Sequence, residues 1–314
     1  MLTTILSGVA QGLLWAILTV GVYLTFRVLD IADLTIEGTF PLGAAVSVML
    51  INSGMNPFLA TTIAVLIGMC AGVFTGFLHT VFKIPAILSG ILTMIALYSV
   101  NIRIMQDKGT VSISGSTVKS MLSDFLTGNF SKLFENGIKS NTLSMGTGLL
   151  TCVLIVSLLY LFFGTEIGGA IRATGSNKNM ARAMGINTNA MIVLGLALSN
   201  GLIALSGSMI AQFDYGSALV NMGQGTIVIG LASVIIGEVI FIHKDHSFAY
   251  KMGAVIVGAV IYRTIIACAL KIDWLKATDL KLITAVIVAI ALALPVFKEK
   301  AAAMKRKRSN REVA

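Results

Sequence analysis

Two kinds of residue in this 314-residue chain have the type and spacing to do chemistry. The first is a set of acids and amides placed among apolar residues. It begins at Asp33, Thr35, Glu37 and Gly38 in the stretch DLTIEG and returns at Asn200, Asn221 and Gln224. Ionisable groups inside a bilayer cost roughly 2.5–3.5 kcal/mol each on insertion scales, so they tend to face a pathway or a partner. These seven positions are therefore candidates for lining a translocation path. A second role stays open for Asp33 and Glu37, since either carboxylate could cap the helix starting near Gly38 by accepting its free N–H groups. Glu238 sits inside an apolar run near its end and is expected to pair with a basic neighbour.

The second kind is the polar, basic segment Ala170–Asn189, AIRATGSNKNMARAMGINTN, between two long apolar runs. Small residues interleave with Arg172, Lys178 and Arg182. Small residues let another surface approach the backbone, and arginine offers planar, multidentate charge to it. The segment reads as a short helical docking element for a cytoplasmic protein.

Other chemistry is poorly represented. The chain holds no G-x-x-x-x-G-K-[ST] phosphate loop, so it is not expected to hydrolyse ATP itself. Three histidines do not assemble a nucleophile–His–acid group. His243-Lys244-Asp245-His246 has a spacing that suits a divalent ion on a helix, but a short basic loop gives the same letters and no further ligand is nearby, so no metal site is assigned. Cys70, Cys152 and Cys268 lie far apart in apolar runs, as small packing residues do.

The elements that must hold these residues are membrane helices. The chain is 56% hydrophobic and 12% charged, with mean hydropathy +0.90 and 31 glycines. Soluble domains carry about 25% charged residues. Apolar runs long enough to cross a bilayer are 5–26, 58–82, 84–105, 146–163, 190–211, 225–242, 252–270 and 280–297, with a shorter one at 39–51. This predicts an all-α polytopic bundle of about nine spans in a single domain over 1–297. The polar segment 27–38 before the short run, and 212–225 after the fifth long one, read as breaks, which membranes tolerate only inside protein or beside a wet cavity.

Basic residues set the orientation. The tail 298–314 and the Arg172/Arg182 segment (164–189) are both expected in the cytoplasm, and four spans separate them. Counting back places Lys83 inside, 106–145 outside and the N-terminus outside. Lys271, Lys276 and Lys281 then fall at the outer face, against the rule. The first run lacks a basic n-region and a cleavage signature, so it reads as a retained helix. The basic tail reads as a positive-inside signal, with no nucleic-acid partner. In the outer segment, the amphipathic patch 118–134 is either a loop on the membrane or a docking ledge. A faint repeat pairs Gly43–Ser47 with Gly230–Val234 and 67–88 with 255–275, in the opposite orientation.

The pattern A-x-R-A-x-G-x-N-x-x-x-A-R-x-x-G-I-N resembles the cytoplasmic coupling loop of bacterial ABC importer permeases of the branched-chain amino-acid and ribose superfamily. DLTIEG at 33–38 is similar to that family's D-L-S-x-G segment, and 279–295 resembles its last span. Together they bracket most of the chain. The resemblance implies a coupling surface for a separate ATPase at Arg172, Ala173, Thr174, Gly175, Asn177, Ala181, Arg182, Gly185 and Ile186. It implies a second permease copy, two cytoplasmic ATPase subunits carrying the ATP and magnesium, and an extracellular substrate-binding lipoprotein that docks on 106–145. Location in the bacterial cell membrane and no cofactor in this chain follow. Glu238 stands where the family has glycine, so no role is carried to it. The DLTIEG break looks most like amino-acid permeases that include aromatic amino-acid systems. The rival reading is an ion-coupled secondary transporter in which Asp33, Glu37 or Glu238 relays protons or binds sodium. A membrane scaffold would leave those acids unexplained.

Overall fold

The computed structural model describes residues 2–123, 138–241 and 247–269, with 282, 284–286, 288, 289 and 293. Most of the predicted last span, the tail, the His243–His246 loop and most of the patch 118–134 lie outside the described residues.

Each apolar run within them is helical. Helix α1 (Leu2–Tyr23) passes into a π-helical turn, Leu24–Val28. There Leu29 N–H donates to Leu24 O at 3.0 Å, five residues back, and the wider turn unwinds the helix. Asp30 follows in the left-handed region (φ 55°), and the chain breaks until α2 (Ile36–Asn52). Helix α2 has 17 residues and an internal Pro41, short of the roughly 20 that a full crossing needs. Helix α3 (Pro57–Thr80) starts with proline in its first turn and with Asn56 Oδ1 accepting from Phe58 N–H at 2.9 Å. Helix α4 spans Ala86–Ile104 and α5 Ile138–Phe163. Two short helices follow, α6 (Glu166–Ser176) and α7 (Lys178–Ala183). Helix α8 (Thr188–Ile210) again runs into a π turn, Ala211–Tyr215, and a second break. Helices α9 (Thr226–Phe241) and α10 (Phe248–Ala269) complete the described chain.

Seven helical stretches are long and apolar enough to cross a membrane among the described residues, and α2 is a shorter apolar helix. The expected count of about nine is therefore seven long spans and one short one here, most of the eighth long run lying outside the described residues. Helices α1 and α8 are the most buried, whereas α3, α4 and α5 turn large apolar side chains such as Phe74, Leu92 and Leu161 outward. An apolar outer surface is what lipid requires, so the bundle's own cohesion must come from close packing. At Gly43 a Cβ would stand 2.1 Å from Ala204 O, and at Gly207 one would stand 2.1 Å from Phe40 O. Only glycine at both places lets the backbones of α2 and α8 meet.

The packing is reciprocal. Helices α2 and α3 pack on α8, while α9 and α10 pack on α1. Each half runs helix, π turn, break, shorter helix, long helix, and lays its second and third helices on the first helix of the other half. That is the arrangement a two-fold relation between halves generates, and it extends the faint sequence repeat to whole elements.

One feature has no counterpart in the all-α expectation. Strands β1 (Thr110–Ser112) and β2 (Ser217–Leu219) pair antiparallel, with Val111 opposite Ala218. They stitch the segment after α4 to the second break. Asn52 Oδ1 accepts from Ser114 N–H at 2.8 Å, and Gln212 Oε1 from Val118 N–H at 3.0 Å.

Candidate functional site

The seven residues predicted to line a path divide into two groups. Asp33, Thr35 and Asn200 are buried in a closed polar network with Thr39, Thr75 and Thr93. Asp33 Oδ1 accepts from Thr35 N–H at 2.9 Å, and Asp33 Oδ2 accepts from Asn200 Nδ2 at 2.8 Å. Thr39 Oγ1 donates to Asn200 Oδ1 at 2.7 Å. Thr35 and Thr75 hydroxyls lie 2.7 Å apart, and Thr75 Oγ1 donates to Thr93 at 2.9 Å. With both oxygens satisfied and 1% of its surface exposed, Asp33 ties the first break to α3, α4 and α8.

Glu37, Gly38, Asn221 and Gln224 come together elsewhere, around a cavity of about 470 Å³ between α2, α4 and the second break. Glu37 Oε1 accepts from Gly225 N–H at 2.9 Å, a residue held at φ +82°. The carboxylate therefore holds the second break instead of capping its own helix. Asn101 donates from Nδ2 to Gly38 O at 3.1 Å, and its buried Oδ1 has no partner among the described residues. Pro41, Met94, Ile95 and Tyr98 supply an apolar and aromatic wall. A neighbouring cavity of about 600 Å³ shares Asn221 and adds Asp214 and Tyr215. One carboxylate, several amides and one free carbonyl oxygen make a pocket that accepts hydrogen bonds and prefers a donor with positive charge.

Sequence reasoning missed Tyr98 and Asn101, since neutral polar residues do not interrupt an apolar run. It also missed Arg263, a cation deep within α10 whose guanidinium carbon lies 3.7 Å from the centre of the Trp15 ring. The signal was there, because a charge inside an apolar run marks a functional or paired site. Glu238 does pair, with Arg27 of the first π turn.

The basic segment forms α6 and α7, joined at Asn177, whose Oδ1 accepts from Met180 N–H at 3.0 Å. Most of its predicted contact residues serve the segment itself. At Gly175 a Cβ would fall 1.8 Å from Val28 O, so the close approach this glycine allows is to the first π turn, not to a foreign surface. Ala181 is fully buried, Thr174 Oγ1 donates to Ala170 O at 2.7 Å, and Ala173 and Ile186 are half-buried. Arg172 donates to Phe163 O at 3.0 Å and lies 6.0 Å from the centre of the Phe248 ring. Arg182 donates from Nε to Thr188 Oγ1 at 2.9 Å. Gly185, at φ +83°, ends α7 in a conformation that L side chains rarely adopt. The free face is left to Met180 and Met184, the latter 76% exposed, beside Arg182. Burial, reinforced by the Arg182 charge, lowers the pKa of Lys178 from its ordinary value. Among the described residues no three His, Cys, Asp or Glu side chains gather as metal ligands.

Comparison with known proteins follows the same lines. Residues 4–294 match the family described as branched-chain amino acid transport system, permease component. The chain is 40% identical over 289 residues to the tyrosine transport system permease protein of Clostridioides difficile (strain R20291), covering 92% of this chain and 90% of that one. It is 31% identical over 291 residues to an uncharacterized protein of Rickettsia prowazekii (strain Madrid E), covering 92% and 96%. It is 27% identical over 209 residues to the autoinducer 2 import system permease protein of Photorhabdus laumondii subsp. laumondii, covering 67% and 57%.

Proposed function

Because this chain belongs to the branched-chain amino acid transport permease family, we propose that it is the membrane subunit of an ATP-driven importer that moves an amino acid inward. The observation that carries the substrate class is the cavity beside Glu37. Its carboxylate and Asn101 Oδ1, which has no partner among the described residues, are both acceptors, which suits an ammonium group, while Tyr98, Met94 and Pro41 suit an apolar or aromatic side chain. The name of the Clostridioides difficile relative agrees with an aromatic amino acid.

The sequence carries no phosphate loop, so ATP and magnesium belong to a separate ATPase. In this reading α6 and α7 lie at the cytoplasmic face and transmit ATPase closure, with Met180, Met184 and Arg182 as the contact face. The segment 106–123, stitched over the second break, faces outward and receives the loaded binding lipoprotein. Two copies of the permease and two ATPase subunits complete the assembly, and closure shifts the bundle between outward and inward packings. The C-terminal tail is then cytoplasmic. An ion-coupled carrier has no use for an exposed α6–α7 face, which favours the ATP-driven reading.

The test is co-expression with a P-loop ATPase and a binding protein, then transport from proteoliposomes. ATP-dependent uptake of an amino acid, and no ATPase activity in the isolated chain, is the expected result. Uptake by the isolated chain under an ion gradient without ATP would replace this reading by the secondary carrier.

A further inference from the structure

Three cations from three different elements line one cavity of about 400 Å³. They are Arg27 of the first π turn, Arg172 of α6 and Lys251 of α10, with the hydroxyls of Tyr23 and Ser176 beside them. Glu238 pairs with Arg27, which leaves Arg172 and Lys251 without an ion pair among the described residues. Lys251 has no side-chain hydrogen-bond or ion-pair partner among the described residues.

The cavity is a built one. Arg172 is held by the Phe163 carbonyl and lies against the Phe248 ring. That ring packs 4.7 Å from Phe163 and 6.4 Å from Tyr23, centre to centre. Gly175 brings α6 onto Val28, and the arginine of α6 and the arginine of the π turn border the same cavity. Like charges gathered in this way repel unless an anion sits among them, and guanidinium forks match the oxygens of a phosphate.

We propose that this cavity is a binding site for a phosphate group that bridges α1, α6 and α10. Its source is either the headgroup of an anionic phospholipid or free inorganic phosphate. On the orientation given above, which this proposal rests on, the site opens at the cytoplasmic leaflet, where anionic headgroups concentrate. A bridging anion there would tie the segment that meets the ATPase to two spans of the bundle.

The experiment measures binding to the purified permease by native mass spectrometry and by thermal midpoint. The probes are phosphatidylglycerol, phosphatidylcholine and inorganic phosphate, each added alone. Wild type is expected to retain phosphatidylglycerol or phosphate over phosphatidylcholine, and which of the two it retains identifies the source. Lys251→Gln should weaken that binding about fivefold, as about 1 kcal/mol per interfacial basic residue implies. Glu238→Gln should tighten it, a direction that damage to the fold does not imitate. Lys83→Gln, outside the cavity, should change nothing. Equal retention of all three probes, or the same loss with Lys83→Gln as with Lys251→Gln, overturns the proposal. These readouts need no ATPase, so a permease that binds phosphate but imports nothing with ATP would refute the importer reading alone.

Discussion

The carboxylate of Asp33 accepts from Thr35 N–H on one oxygen and from Asn200 Nδ2 on the other, whereas Glu37 accepts from Gly225 N–H and borders the cavity. Sequence left these two acids with the same pair of roles, because spacing alone does not say which way a side chain turns out of a break. Their partners separate them. Asp33→Asn sets an amide donor against either Thr35 N–H or Asn200 Nδ2, and a buried polar group left unsatisfied costs about 1–3 kcal/mol. A fall in thermal midpoint with poor recovery from detergent is the expected outcome, and unchanged stability would mean the network contributes nothing. Glu37→Gln keeps an oxygen for Gly225 and removes only the charge. It should leave stability near wild type and reduce amino-acid uptake about tenfold or more, the ratio that loss of a charge-assisted hydrogen bond of about 1.5–3 kcal/mol implies. Uptake at the wild-type rate would remove Glu37 from the path.

Helices were legible as elements because apolar length, glycine and proline report the backbone directly. Helix α3 starts where Asn56-Pro57 announces it, and α2 is short as its run 39–51 is, although it begins at Ile36, inside the segment expected to be the break. The partners of those elements were not legible. The small residues of α6 signal that something comes close, yet Gly175 gives no hint that the neighbour is Val28 of the same chain. Strands β1 and β2 escaped for a related reason, being three residues each, too short for any periodicity, and paired across more than a hundred residues of chain. Two expectations follow for α6 and α7. Gly175→Leu should overpack the contact with the π turn, at about 1–3 kcal/mol or more, and lower stability before any ATPase is added. Met184→Glu, on the exposed face, should leave stability unchanged and weaken ATPase co-purification. If Gly175→Leu were as stable as wild type and Met184→Glu bound ATPase normally, the inward and outward faces of this element would have to be exchanged.

At the scale of the whole molecule, the two halves share an order of elements, and the halves meet through polar contacts as well as helix packing. Ser199 Oγ donates to Gly21 O at 2.8 Å and Ser206 Oγ to Leu14 O at 3.0 Å, which fixes the C-terminal half of α1 against the C-terminal half of α8. At one end of α1, Arg27 of the first π turn reaches Glu238 of α9. At the second π turn, Gln11 of α1 donates to Asp214 Oδ1 at 3.0 Å. Each π turn is thus tied to the other half of the molecule, where a change of packing between halves would be felt. Arg27 is 52% exposed at its side chain and Glu238 23%, so the pair contributes at the modest level of surface ion pairs, about 0.2–1 kcal/mol. That is enough to move a two-state equilibrium by up to about fivefold without unfolding the bundle. Glu238→Lys alone should therefore alter the ATPase stimulation given by loaded binding protein, up to about fivefold, because it sets two cations together at this junction. Arg27→Glu alone should do the same with two carboxylates. The double variant, with the charges exchanged, should restore stimulation toward the wild-type value, since attraction returns with its sign reversed at both ends. Simple addition of the two single effects in the double variant would show that the two side chains are not coupled, and that the halves communicate by packing alone.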